Sequence, residues 1–127
     1  MKKLHSITAA AALAVAFALA VPSSASAGQV VGKILTLEVV GTATTPYVMV
    51  NMSGTPSGYP ACSVWPVMMA VDISTARGKI VMSVLTSAFL AGKTVTLRGT
   101  SPGTCVTPSN QATPVAVEQA YYVQLEQ

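Results

Sequence analysis

The hydrophobic pattern of this chain changes character twice. From Ala9 to Val21 apolar residues follow one another almost without a break, until Pro22, Ser23 and Ser24 interrupt them. Beyond Gly28 apolar and polar positions alternate at a spacing of two, the period of a half-buried strand, and only one later stretch switches to the helical period. Val30 to Val40 is rich in β-branched residues, with Val31, Leu35, Leu37 and Val39 at period two, and predicts a first strand. After the turn-forming residues 41–46, Val48, Val50 and Met52 alternate with Met49 and Asn51 and predict a second. Gly54, Pro56, Gly58 and Pro60 then predict an irregular loop over residues 53–61. A third strand is expected over residues 64–73, with Val67, Met69, Val71 and Ile73 on one face and Met68, Ala70 and Asp72 on the other. Pro66 lacks a donor N–H, which makes the early part of that strand an edge or a bulge.

The helical period follows. Ile80, Val81, Val84, Leu85, Ala88 and Phe89 recur at three-and-four spacing, Ser74 or Thr75 can cap the start, and Gly92 followed by Lys93 ends the helix with a left-handed residue. Residues 94–98 alternate Thr94, Thr96 and Arg98 with Val95 and Leu97 as a fourth, half-exposed strand. A second loop, 99–114, surrounds Cys105, and the last strand runs from Val115 or Val117 to Leu125, with Tyr121, Val123 and Leu125 opposite Tyr122 and Gln124. The expected class is all-β to α+β. The element order predicts a five-stranded antiparallel OB-like barrel with one helix between the third and fourth strands, and a small α+β sandwich shares that order.

The N-terminal pattern changes what the rest can be. Lys2 and Lys3 before the apolar run, and Ala25-Ser26-Ala27 after it, read as a secretory signal peptide over 1–27, leaving a single domain over 28–127. Leu4 to Val21 is almost long enough to span a bilayer, so an uncleaved anchor is the competing reading. Cleavage removes His5, the only histidine, and implies an exported protein of the periplasm or extracellular medium, with no membrane attachment afterwards. Cys62 and Cys105, the only two cysteines, are then expected to form a disulfide. Closing a loop of that length contributes about 4 kcal/mol in the chain-entropy picture.

Charge and chemistry narrow the function. Beyond residue 27, Lys33, Arg77, Lys79, Lys93 and Arg98 nearly balance Glu38, Asp72, Glu118 and Glu126, and no basic stripe is present to follow a phosphate backbone, which argues against nucleic acid. The four carboxylates lie on different predicted elements or near a terminus and read as solvated charges, so neither a glycosidase-like pair nor a metal site is expected. Gly99-Thr100-Ser101-Pro102-Gly103 fits G-x-S-x-G but lacks both the strand-to-helix turn and a histidine; it reads as a turn. Gly92-Lys93-Thr94 ends like a phosphate-binding loop yet runs from helix to strand, and reads as a helix cap. Asn51-Met52-Ser53 matches a glycosylation acceptor on a strand, beside a signal of bacterial character, and is taken as coincidence. No catalytic residue, metal or cofactor is expected. Tyr59 and Trp65, beside the stapled loop, form the sharpest ligand-binding candidate, because aromatic faces stack on sugar rings and prolines; the competing role for Trp65 is to cover the disulfide. Tyr47 and Tyr122 are expected to be the more exposed of the remaining tyrosines, and Met49, Met52, Met68, Met69 and Met82 to fill irregular core space.

These features, namely Gly32-Lys33-Ile34 opening the first strand, the prolines and Cys62 before the third, a helix from Arg77 to Ala91, and Gly99 to Cys105 after the fourth, resemble the layout of the B subunits of bacterial AB5 toxins of the subtilase-cytotoxin type. The resemblance covers most of residues 28–127 and implies an OB-like fold, a homo-oligomer and glycan binding, although no sugar-binding residue of that family maps onto this chain. The function expected is a non-catalytic exported binding or structural module, its partner a glycan or another exported protein. The alternatives are an oligomeric toxin-B-like lectin and an enzyme working without histidine.

Overall fold

A computed structural model describes residues 26–100, 102–108 and 115–127. Most of the expected signal peptide, residues 1–25, and Ser101 lie outside the described residues. The elements are β1 (Gln29–Gly41), β2 (Pro46–Met52), β3 (Thr55–Ser57), β4 (Met68–Asp72), α1 (Ala76–Leu90), β5 (Thr94–Gly99), β6 (Cys105–Val106) and β7 (Val117–Leu125).

Five of these strands close a ring in the order β1, β2, β4, β7, β5 and back to β1. Closure depends on β1 serving two partners: Gln29–Lys33 pairs with β5, whereas Ile34–Gly41 pairs with β2. The change of partner coincides with a register irregularity between Ile34 and Thr36. A bulge of this kind bends a strand and changes which side chains face inward. The consequence departs from the simple alternation read from the sequence. Val30, Ile34 and Val40 are buried, while Val31, Leu35 and Val39 of the period-two set are 40%, 53% and 72% exposed.

The ring also departs from the all-antiparallel arrangement expected. β4 and β7 run parallel, with Met69 opposite Glu118 and Ala70 opposite Gln119, because strand directions cannot alternate all the way round a ring of five and the other four pairs are antiparallel. Two short strands lie in segments expected to be loops: β3 pairs with the start of β1, and β6 with the start of β7. The third predicted strand is shorter than expected. Trp65 to Val67 instead form a turn, closed by the Met68 N–H on the Trp65 carbonyl, consistent with Pro66 being unable to donate.

α1 begins as its sequence dictates. The Thr75 hydroxyl accepts from the Gly78 N–H at 3.0 Å, and Gly92 follows the helix with φ +60°. The Lys93 N–H returns to the Ala88 carbonyl. The buried face is Gly78, Val81, Leu85 and Ala88, narrower than the predicted apolar stripe; Ile80 is 68% and Phe89 40% exposed. Within the ring Val81, Leu85 and Ala88 join Val30, Val50, Met69, Val71, Val95 and Leu97 in one core cluster. A second, smaller cluster of Val40, Met49, Ala70 and Val117 lies apart from the first, with Tyr47, Met68, Val106 and Val115 packed against it. Met49, Met52 and Met69 are buried, and Met68 and Met82 are partly buried, in keeping with a core-filling role.

Candidate functional site

The structure joins Cys62 and Cys105 in a disulfide with Cα atoms 6.1 Å apart. Cys105 opens β6 and stands opposite Glu118, so the bond ties the segment between β3 and β4 to the start of β7. Backbone bonds reinforce the tie: the Val64 N–H donates to Ala116 and the Gln119 N–H to Thr104. Tyr59 and Trp65 flank this staple and are 49% and 46% exposed. Both rings are therefore open to a ligand; separate depressions lie along α1 and β7.

Tyr122, which is 56% exposed, lines two such depressions. The guanidinium of Arg77, the second residue of α1, lies 5.7 Å from the centre of its ring, within cation–π range. Across the β5–β7 ladder Arg98 stands opposite Tyr122. On one side the ring borders a groove of about 470 Å³ floored by Ile80, Val84 and Val123, and on the other a depression of about 390 Å³ with Arg98 and Gln124. An exposed aromatic ring with one guanidinium over it and aliphatic side chains beside it can offer a flat apolar surface and pair with an anionic group at once. The sequence marked Tyr122 as exposed through its polar period-two neighbour Gln124. Arg77 enters the sequence reading only through the charge balance and as the start of the helix, because helix and strand positions far apart in sequence meet only in the fold. Tyr47, the other tyrosine expected to be exposed, is half-buried against the second cluster. Burial, followed by the charge of Asp72 opposite it, raises its pKa.

The carboxylates are less uniform than expected. Glu38 is exposed on β1, Asp72 accepts from the Ser74 N–H and hydroxyl just before α1, and Glu126 accepts from the Thr96 hydroxyl. Glu118 is not a solvated charge. It is 1% exposed, and one carboxylate oxygen, Oε1, accepts from the Gly28 N–H at 2.7 Å. Its Oε2 is buried without a hydrogen-bond partner, as is the Ser63 hydroxyl. Burial is the largest influence on the Glu118 carboxyl and raises its pKa, with the Gly28 bond opposing in part. The signal available in the sequence was local: Glu118 shares its period-two face with Ala116 and Ala120, small residues that suit a buried position.

Among the described residues no group of three or more His, Cys, Asp or Glu side chains converges on a point that could hold a metal ion. No helix among them is long and apolar enough to cross a membrane. No known protein-family model, curated protein or solved structure matches this chain.

Proposed function

We propose that this chain is an exported, non-catalytic binding module built on an OB-like barrel. The closed ring of five strands, the helix between its third and fourth members and the disulfide support the architecture and the oxidising compartment. The observation that carries the binding role is the Arg77–Tyr122 pair at the mouth of the α1–β7 groove. Its ligand is a small molecule, glycan or peptide end that combines a flat or aliphatic face with a carboxylate. The test is a screen of oxidised Gly28–Gln127 protein against carboxylate-bearing glycans and short acidic peptides. Binding should weaken roughly tenfold with Tyr122→Ala, in keeping with the loss of one stacked aromatic contact, and persist with Trp65→Ala. Binding indifferent to Tyr122 would overturn the assignment of the groove.

The half-exposed Tyr59 and Trp65 on the stapled loop favour a second reading, an oligomeric toxin-B-like lectin. A closed ring of subunits by light scattering, with glycan binding lost on Trp65→Ala or Tyr59→Ala, would replace the first reading by this one. A monomer would remove it.

A further inference from the structure

We propose that the buried Glu118 carboxylate is the receptor for the free α-amino group of Gly28, created when the bond between Ala27 and Gly28 is cut. The proposal rests on the reading of residues 1–27 as a removed export signal. Hydrolysis by a signal-type peptidase consumes water, leaves a carboxylate on Ala27 and an amino group on Gly28. That amino group binds a proton near neutral pH, its ordinary pKa being about 7.7–8.0.

The geometry is already in place in the uncut chain. Gly28 is buried, its N–H points at Glu118 Oε1 at 2.7 Å, and its carbonyl accepts from the Gly99 N–H at 3.0 Å. An amide nitrogen has one hydrogen to offer, and Oε2 is left buried and unpartnered. An ammonium at the same atom carries two further donors and a positive charge. It converts a half-satisfied buried carboxylate, an expensive arrangement, into a paired one. The walls of the site are built for a backbone terminus rather than a side chain. A Cβ added to Gly28 would overlap Glu118 Oε2, and one added to Gly99 would overlap Oε1. A larger residue exposed by cleavage would have to displace the Glu118 carboxylate, whereas glycine leaves it in place. Met69 of β4 and the disulfide-bonded Cys105 of β6 stand opposite Glu118 in the strand ladders, Gly99 of β5 faces its carboxylate, and the backbone of Tyr59 in the loop after β3 lies beside Gly28. None of these contacts brings a second charge. Cleavage thus changes the chemistry of the fold itself: the chain retaining its N-terminal segment leaves this end of the ring half-paired, and the processed chain closes it.

A cycle of four oxidised proteins tests the pairing. Two begin at Gly28, released from an N-terminal fusion by a protease that leaves glycine first, and two retain Ser26-Ala27; each pair carries Glu118 or the Glu118→Gln substitution. Retaining the two residues should lower the folding equilibrium constant roughly 10- to 100-fold when Glu118 is present, and much less in the Glu118→Gln background. Equal penalties in both backgrounds would overturn the proposal. Should Glu118→Gln fail to fold, the pH dependence of N-terminal acylation in the unsubstituted Gly28-first protein decides it. An ion-paired amine titrates above the ordinary amino-terminal range, whereas an ordinary or lower value refutes the pairing. The mass of the exported protein tests the cleavage separately: a first residue other than Gly28 would overturn the maturation step whatever the cycle shows.

Discussion

The two ends of the strand ring are closed by opposite chemistry. At the end where β4 finishes and β5 begins, α1 inserts Val81, Leu85 and Ala88 into the aliphatic core. At the end where β1 and β7 begin and β5 finishes, Glu118 lies between Gly28 and Gly99 beneath loops tied by the disulfide. The helix end is self-sufficient, because burial of hydrocarbon is non-directional and needs no partner; each Val or Leu contributes about 1.5–3 kcal/mol. The Glu118 end is conditional, because a buried carboxylate is stabilising only when its charge and both oxygens are met. One end therefore responds to volume, and the other to ionisation and to the state of a neighbouring backbone nitrogen.

The contrast can be broken most severely at the helix end. Leu85 is completely buried, and Leu85→Ala should lower stability by about 3 kcal/mol, read by chemical denaturation of the oxidised protein. The loss should not vary between pH 5 and pH 8, in about the range where an aliphatic plug has nothing to titrate. A loss that did vary would show the two ends to be coupled.

Gly99→Ala is the corresponding probe of the other end. Its new methyl group meets the Glu118 carboxylate, and overpacking of this kind should cost about 2 kcal/mol. Combining it with Glu118→Ala should recover part of that loss, since the obstructing group is then gone. Equal costs with and without Glu118 would mean that the strain is carried by backbone alone.

The smallest effect sharpens the comparison through pH. In a protein that retains Ala27, burial holds the Glu118 carboxyl above the ordinary carboxylate range despite the Gly28 bond. A raised acid favours the folded state in its protonated form. That contribution is complete below the unfolded carboxylate's range, about 4.3 for Glu, and is lost as pH rises through the folded value. Denaturation midpoints should thus decline over this window, and Glu118→Gln should flatten the decline. Beginning the chain at Gly28 should reverse the slope, since an adjacent ammonium stabilises the charged carboxylate.

Local chemistry alone located much of the fold. Thr75 and Gly92 bracket the helix in sequence and in structure, because capping involves neighbours within a few residues. The strands at Pro46–Met52, Thr94–Gly99 and Val117–Leu125 lie where the alternation predicted them, but Thr96, expected on the open side of the fourth strand, is buried between Val95 and Leu97 because both faces of that strand are covered. β3 and β6 were missed because three- and two-residue strands carry too little periodicity to be read and exist only where a longer strand offers an edge. Of the proposed binding surfaces, Tyr59, Trp65 and Tyr122 were recognisable as exposed aromatics, whereas the Arg77–Tyr122 pair joins a helix to a strand through packing.

The sequence by itself determined which longer segments extend, which one coils and which two cysteines are available to be joined, since these follow from residue spacing and from the identity of a few capping and turn residues. The tertiary structure alone decided the inward face of β1, through a bulge that shifts the alternation partway along the strand. It alone also decided the parallel meeting of β4 and β7, and the burial of Glu118 against the nitrogen of a residue 90 positions away. Those outcomes depend on ring closure, which brings distant backbone together and removes water from a carboxylate that the local sequence left looking like any surface charge.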